Sequence, residues 1–302
     1  MAKIKTRRYY IYYLAKIVFF IIGLIPRKIS LFIADFLGER AFYLLKKYRE
    51  IAITNLSFAF GEDNSEKIAK GVFRNLAKTG VDWIKLMTLK KEDIDALVTE
   101  VSGLEYLDEA LARGKGVILF ASHFGNWELL SIYLWANGYK GAVIARRLYF
   151  HKYTEFIEKL RNKFNAYVFY RDESPKKLLR ILKGGDILGF LADQDIDSVD
   201  GIFVDFFGKP AFTPVAPVKL GMITEADMVP AFMIRKNDNT YKMVIEKPIS
   251  LISGKDKEAD VKKYTQAWTS VLENYIRKYP EQWVWVHRRW KRSAEEKVEV
   301  YS

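Results

Sequence analysis

Residues 116–130 read GVILFASHFGNWELL. The first seven are apolar or small, open on glycine and are too few for an independent helix, so 116–122 is expected to be a strand. The run stops at His123. Asn126 is a favoured helix N-cap, and Trp127 and Glu128 open the helix it would cap. Strand, tight turn and helix thus follow one another, with a histidine in the turn and an acid in the first helical turn.

Downstream, short apolar runs bounded by Gly, Asp and Lys recur at 141–147, 166–170, 186–192, 228–235 and 241–248, and each is expected to be a strand. Helical patterns lie between several of them, at 126–135, 152–163 and 175–182, and a last helix is expected over 257–279. Upstream, 64–100 has apolar residues at spacings of three and four, with breaks near Gly80 and Thr88. The fold class this implies is α/β, a mixed sheet with flanking helices. No repeat, low-complexity stretch or proline-rich linker interrupts the pattern.

The N-terminus differs. Residues 9–26, YYIYYLAKIVFFIIGLIP, are apolar or aromatic except for Lys16, and as a helix would be roughly 27 Å long. Tyr9, Tyr10, Tyr12 and Tyr13 crowd one end, where amphipathic rings suit a headgroup layer. The expectation is an N-terminal membrane helix, with 1–30 as anchor and 31–302 as the catalytic domain. Pro26-Arg27-Lys28 stands where a signal peptide would carry small residues for cleavage. Residues 29–48 alternate apolar and charged positions at helical spacing, which suits a helix on an anionic lipid surface.

Charge sharpens this picture. The chain of 302 residues carries 49 Lys and Arg against 37 Asp and Glu, a net charge of +12. The first 50 residues hold +8 of it, so the excess is concentrated beside the apolar run. Half the residues are hydrophobic, enough for a sizeable core, and there is no cysteine, which excludes disulfides, thiolate metal sites and a cysteinyl intermediate.

Chemistry is expected at the turn. A carboxylate bonded to one nitrogen of His123 would orient the other as a general base, and Glu128 is placed for that. The adjoining helix N-terminus favours negative charge. Ser122 points the other way if the strand reaches it, and no GxSxG elbow occurs. Arg146, Arg147 and Arg161 carry guanidinium forks that match phosphate or carboxylate oxygens. Asp193, Asp195, Asp197 and Asp200 invite a calcium reading, but Ser198 and Val204 stand where an EF-hand loop needs Gly and Glu, so no metal is expected. Near the C-terminus, residues 283–292 interleave Trp with His287, Arg288, Arg289, Lys291 and Arg292, a mixture suited to a membrane interface and equally to nucleic acid. His287 is read as structural and His151 as a surface residue. A non-enzymatic, basic membrane or nucleic-acid binding protein is the competing class, but no nucleic-acid motif accompanies the charge.

Several blocks, in order, carry a resemblance: 122–128 (SHFGNWE), Ala145-Arg146-Arg147, Leu160-Arg161, 192–195 (ADQD), Phe206-Phe207-Gly208 with Thr213-Pro214, and 280–291 (PEQWVWVHRRWK). Over nearly the whole chain the sequence resembles the lipid A late acyltransferases, the lauroyl and myristoyl transferases. The wider group includes phosphatidylinositol mannoside acyltransferases, and glycerophosphate acyltransferases share the histidine-acid motif and, by implication, the fold. The resemblance implies transfer of a fatty acyl chain from an acyl carrier thioester, on acyl carrier protein or coenzyme A, to a hydroxyl of a phosphorylated glycolipid. It places the protein at the inner (cytoplasmic) membrane of a bacterium with the catalytic domain facing the cytoplasm, with anionic lipid as a further partner and no nucleic acid. His123 and Glu128 are then the catalytic pair, and Arg146, Arg161, Asp195 and Asn126 the substrate-binding residues, with no cofactor. Asp193 or Asp195 is then expected to pair with an arginine or to support the histidine, and of the two the reading favours Asp195.

Overall fold

The computed structural model describes residues 7–147, 151–152, 154–155, 158, 163–164, 167–171, 173–292 and 300–301. Four helices come first: α1 (Arg7–Leu24), α2 (Arg27–Leu44), α3 (Lys46–Phe60) and α4 (Ser65–Leu86). Then follow α5 (Lys91–Leu97), β1 (Val98–Ser102), α6 (Leu104–Ala112), β2 (Val117–Ala121), α7 (Trp127–Ala136), β3 (Gly141–Ala145) and β4 (Tyr167–Tyr170). The second half comprises α8 (Pro175–Lys183), β5 (Ile187–Leu191), β6 (Gly201–Phe206), β7 (Lys209–Pro214), α9 (Ala216–Thr224), β8 (Asp227–Arg235), β9 (Tyr241–Ile245) and α10 (Lys257–Lys278).

Seven strands form one sheet in the order β1-β9-β8-β2-β5-β3-β4, and β6 with β7 makes a separate hairpin. Within the sheet only β8 and β9 run antiparallel. β2, at its centre, shows why both faces are covered. Val117, Leu119 and Ala121 enter a core built with α5, α6 and α7, whereas Ile118 and Phe120 enter another built with α8, α9, α10 and the C-terminal tryptophans. The period-two alternation of a strand thus supplies two apolar layers from one unbroken apolar run.

The mixed sheet with flanking helices stands, and each of the six expected strands is present. The expected N-terminal membrane helix is corrected: among the described residues no helix is long and apolar enough to cross a membrane. Lys16 and four tyrosine hydroxyls dilute the apolar run, and α1 stops at Leu24, before Pro26 opens the next helix. At 18 residues α1 is about 27 Å long, short of the ~30 Å hydrocarbon core of a bilayer. Its C-terminal end is instead fastened to the domain. Lys85 donates to the carbonyls of Gly23 and Ile25, Ile22 packs with Leu31, Ala34 and Val81, and Arg27 pairs with Asp82 at 2.7 Å.

Two further readings change. α4 runs unbroken through Gly80, because packing against α2 outweighs the roughly 1 kcal/mol that glycine costs a helix. Residues 98–100 leave the expected helix for β1, an exposed edge strand without apolar alternation. The expected helix over 152–163 falls largely outside the described residues, although 151, 152, 154, 155 and 158 are helical.

Candidate active site

Four parallel strands, β2, β5, β3 and β4, lie side by side, and their carboxyl ends share one edge, where α/β sheets place ligands. Register decides what meets there. Ala121 pairs with Leu191, so His123 and Asp193 each stand two residues past a matched pair. Ala145 pairs with Tyr170, so Arg146 and Arg171 each stand one residue past another. The cleft above them, about 380 Å³, is lined by His123, Glu128, Arg146, Tyr170, Arg171 and Gln194 among others.

His123 Nδ1 lies 2.8 Å from Asp193 Oδ1, and the His123 backbone N–H donates to Asp193 Oδ2 at 2.9 Å. Asp193 is fully buried, and Trp283 Nε1, equally buried, donates to the same Oδ2 at 2.8 Å. Burial works to lower the His123 pKa, but the Asp193 carboxylate and then Glu128 outweigh it and hold the ring above its ordinary value, against the charge of Arg171. The Asp193 carboxyl, although burial opposes its ionisation, is held well below the usual carboxylate range by His123, with His287 and the Trp283 indole adding to the effect. The site therefore contains an ionised acid on Nδ1 and leaves Nε2 as the ring nitrogen for chemistry.

The turn that carries His123 is clamped. Gly125 has φ of 57°, and a Cβ there would stand 1.9 Å from the Met233 carbonyl oxygen, so only glycine fits. Gly125 N–H donates to the Gln282 carbonyl and Val284 N–H to that of His123, which pins the 280–292 segment against the turn. From behind, Asn126 donates to the Tyr241 hydroxyl at 3.1 Å, and that hydroxyl donates to Asp82, which also holds Arg27 and Arg235.

A sequence-family model described as bacterial lipid A biosynthesis acyltransferase matches residues 2–292. The protein belongs to that family. It is an acyltransferase. It is 26% identical over 302 residues to the lipid A biosynthesis lauroyltransferase of Escherichia coli K12, covering 95% of this chain and 94% of that one. It is 26% identical over 250 residues to the lipid A biosynthesis acyltransferase of Haemophilus influenzae, covering 80% and 75%. A phosphatidylinositol mannoside acyltransferase of Mycobacterium tuberculosis is 27% identical over 196 residues, 63% of this chain and 59% of that one.

In the acyltransferase, His123, Glu128 and Arg146 of the expected site meet in the cleft. Arg161 lies outside the described residues. Asn126 is fully buried; its Oδ1 accepts from Leu129 N–H and its amide donates to Tyr241, so it caps α7 rather than facing substrate. Asp195 is turned away likewise: its buried carboxylate accepts from Arg292 Nε at 2.7 Å and from Arg292 N–H at 2.9 Å. The acid on the histidine is Asp193, not Asp195, and it, rather than Glu128, takes Nδ1. Asp197 and Asp200 pair with Lys291 and Lys219. His287 accepts the structural role: Nδ1–H donates to the Val284 carbonyl, and burial pushes its pKa down to about 4, so it is neutral. Asp193, Trp283 and Arg171 are the residues sequence reasoning missed or misplaced. Strand order would have found two of them, because Asp193 and Arg171 lie just past the carboxyl ends of β5 and β4.

Proposed function

We propose that this acyltransferase moves a fatty acyl chain from an acyl carrier thioester to a hydroxyl of a phosphorylated, acylated glycolipid of the lipid A precursor type, with His123 as general base and no acyl-enzyme. The observation that carries the reading is the ionised, fully buried Asp193 on Nδ1 of a histidine at the cleft floor. Asp193 fixes the tautomer, so Nε2 accepts the proton of the acceptor hydroxyl as its oxygen bonds to the thioester carbonyl carbon. The tetrahedral adduct collapses, the C–S bond breaks, and the imidazolium returns the proton to the departing sulfur. Glu128, in the same cleft, adds to the field that stabilises the imidazolium. A protein nucleophile is unnecessary: there is no cysteine, and Ser122 is buried with no base among the described residues partnering its hydroxyl.

An apolar cavity of about 250 Å³ adjoins the cleft through Ile144, Leu191 and Ile196. Its walls include Phe169, Leu178, Phe190, Pro217 and Leu220, suited to the acyl chain. The net charge of +12 favours an acidic acyl carrier protein as donor and anionic lipid beneath. Residues 31–302 make up the catalytic domain in this reading. The exposed apolar residues of α1 and α2, Leu14, Phe20, Leu24, Phe32 and Phe36 among them, rest on the cytoplasmic face of the bacterial inner membrane.

The test is acyl transfer by purified enzyme from a C12 or C16 acyl-carrier thioester to a tetra-acylated, bis-phosphorylated glucosamine disaccharide. Wild type is expected to transfer, and folded His123→Ala to lose on the order of 100-fold or more in kcat/KM. Equal rates would remove His123 from the mechanism. Because the mannoside acyltransferase is as similar in identity as the lipid A enzymes, a mannosylated phosphatidylinositol is assayed in parallel, and exclusive turnover of it would move the acceptor to that class.

A further inference from the structure

Among the described residues, Arg171 is the one cation of the cleft that no sequence block pointed to. It follows β4 as Arg146 follows β3, and its backbone N–H donates to the Ala145 carbonyl, so the two arginines are neighbours across a parallel ladder. Both line the cleft with His123. Among the described residues neither forms an ion pair, in contrast to Arg27, Arg113, Arg235, Arg277 and Arg292. Arg147, next in sequence, stacks its guanidinium 3.8 Å from the centre of the Tyr170 ring. We propose that Arg146 and Arg171 form a two-guanidinium clamp for a phosphate monoester on the sugar of the acceptor, holding it beside the base so that the reacting hydroxyl meets His123.

The chemistry favours this ligand. Two like charges held together with no ion-pair partner among the described residues repel, and the Arg171 pKa is lowered first by burial and then by Arg146. A dianionic phosphate relieves that repulsion and offers paired oxygens to two planar forks, whereas a neutral sugar hydroxyl does not. Arg171 is also close enough to His123 to oppose its protonation, so an anion on the clamp stands near the reacting centre. The phosphate of phosphopantetheine is separated from its thioester by the whole pantetheine arm. A phosphate beside the base therefore belongs to the acceptor.

The assignment rests on the acyl-transfer reading only for which molecule brings the phosphate, and two measurements separate them. In the first, wild type, Arg146→Gln, Arg171→Gln, their double variant and the control Arg180→Gln, an exposed basic residue of α8 outside the cleft, are assayed with bis-phosphorylated and dephosphorylated acceptor. The donors are acyl carrier protein thioester and the corresponding S-acyl pantetheine, which lacks phosphate. Each cleft variant is expected to raise the acceptor KM about 10-fold or more with donor KM unchanged. Dephosphorylation should cost wild type at least that factor and cost the Arg146→Gln/Arg171→Gln double variant nothing further, the non-additivity of groups that act on each other. Arg180→Gln should match wild type. A loss that follows the donor phosphate, or one equal on both acceptors, overturns the clamp.

In the second, calorimetric titration with glucosamine phosphate is expected to saturate for wild type, to weaken about 10-fold in either cleft variant, and to be absent for glucosamine. Unchanged binding in the Arg146→Gln/Arg171→Gln double variant overturns the clamp whatever the enzyme acylates. Arginine-dependent binding by an enzyme that acylates no lipid A-type acceptor leaves the clamp standing and removes the acceptor reading instead.

Discussion

Asp193 receives three hydrogen bonds, from the His123 ring, the His123 backbone and the Trp283 indole, and the first two hold the residue by its ring Nδ1 and its main chain. Each donor competes for the same negative charge, so removing different partners moves His123 in opposite directions. Asp193→Asn deletes the charge that raises the His123 pKa. The acid limb of the kcat/KM profile, where protonation silences the base, is then expected to shift to lower pH, while kcat falls on the order of 100-fold as the tautomer is lost. Trp283→Phe leaves the carboxylate with fewer donors and more charge to offer the imidazolium. That limb should move to higher pH, with kcat down about 10-fold and acceptor KM unchanged. Shifts of the same sign in both variants would refute the shared-carboxylate account. At this scale the sequence made His123 legible through its turn, but the choice between Asp193 and Asp195 was not. Both follow the same strand, and only the buried pairing of Asp195 with Arg292, across 97 residues, separates their roles.

The strand-turn-helix unit tolerates little change, since α7 is capped by Asn126 and entered through Gly125 at positive φ. Gly125→Ala sets a Cβ against the Met233 carbonyl and forces the backbone out of the left-handed region. A loss of roughly 2 to 4 kcal/mol in denaturant unfolding is expected, with activity falling further than stability because the displaced loop carries His123. Full stability would show that the turn can be rebuilt without glycine. α9 supports a separate prediction, since Leu220 reaches the apolar cavity beside the cleft. Leu220→Trp fills part of that space, so kcat/KM for C16 donors is expected to fall on the order of 10-fold relative to C12. An unaltered chain-length preference would place the acyl chain elsewhere. Elements with strong periodicity, such as α7 and α10, were legible within a residue or two. The β6–β7 hairpin was not: its turn is Phe207-Gly208 with positive φ at both, and phenylalanine is a poor advertisement for a type I′ turn. β1 escaped because an exposed edge strand has no apolar alternation to read.

Across the whole molecule the apolar residues divide between two cores on either side of the sheet and an uncovered face on α1 and α2. The sequence showed that the N-terminus is apolar and basic, but counting apolar residues could not separate a span from a face. Tyrosines count toward both; among the described residues no helix is long and apolar enough to cross a membrane, and Lys85 and Asp82 tie the α1–α2 corner down to α4. On α2, Leu31, Ala34, Gly38 and Phe42 are buried, whereas Phe32 and Phe36 are 77% and 53% exposed, one turn apart on the opposite side. Such a helix gains by laying its outer side on lipid, at about 1.5 to 3 kcal/mol for each phenylalanine buried, while neighbouring Lys and Arg add about 1 kcal/mol each near an anionic surface. Phe32→Asp/Phe36→Asp should therefore weaken sedimentation with anionic vesicles by on the order of 100-fold or more. The activity on acceptor dispersed in detergent should be retained, because the buried side of α2 is untouched. Raising salt should weaken the remaining binding of both proteins, since it screens the charges and leaves the apolar contribution in place. Vesicle binding unchanged by the double substitution would show that the exposed face of α2 does not meet the lipid, and that whatever holds the enzyme to a membrane lies elsewhere in the chain.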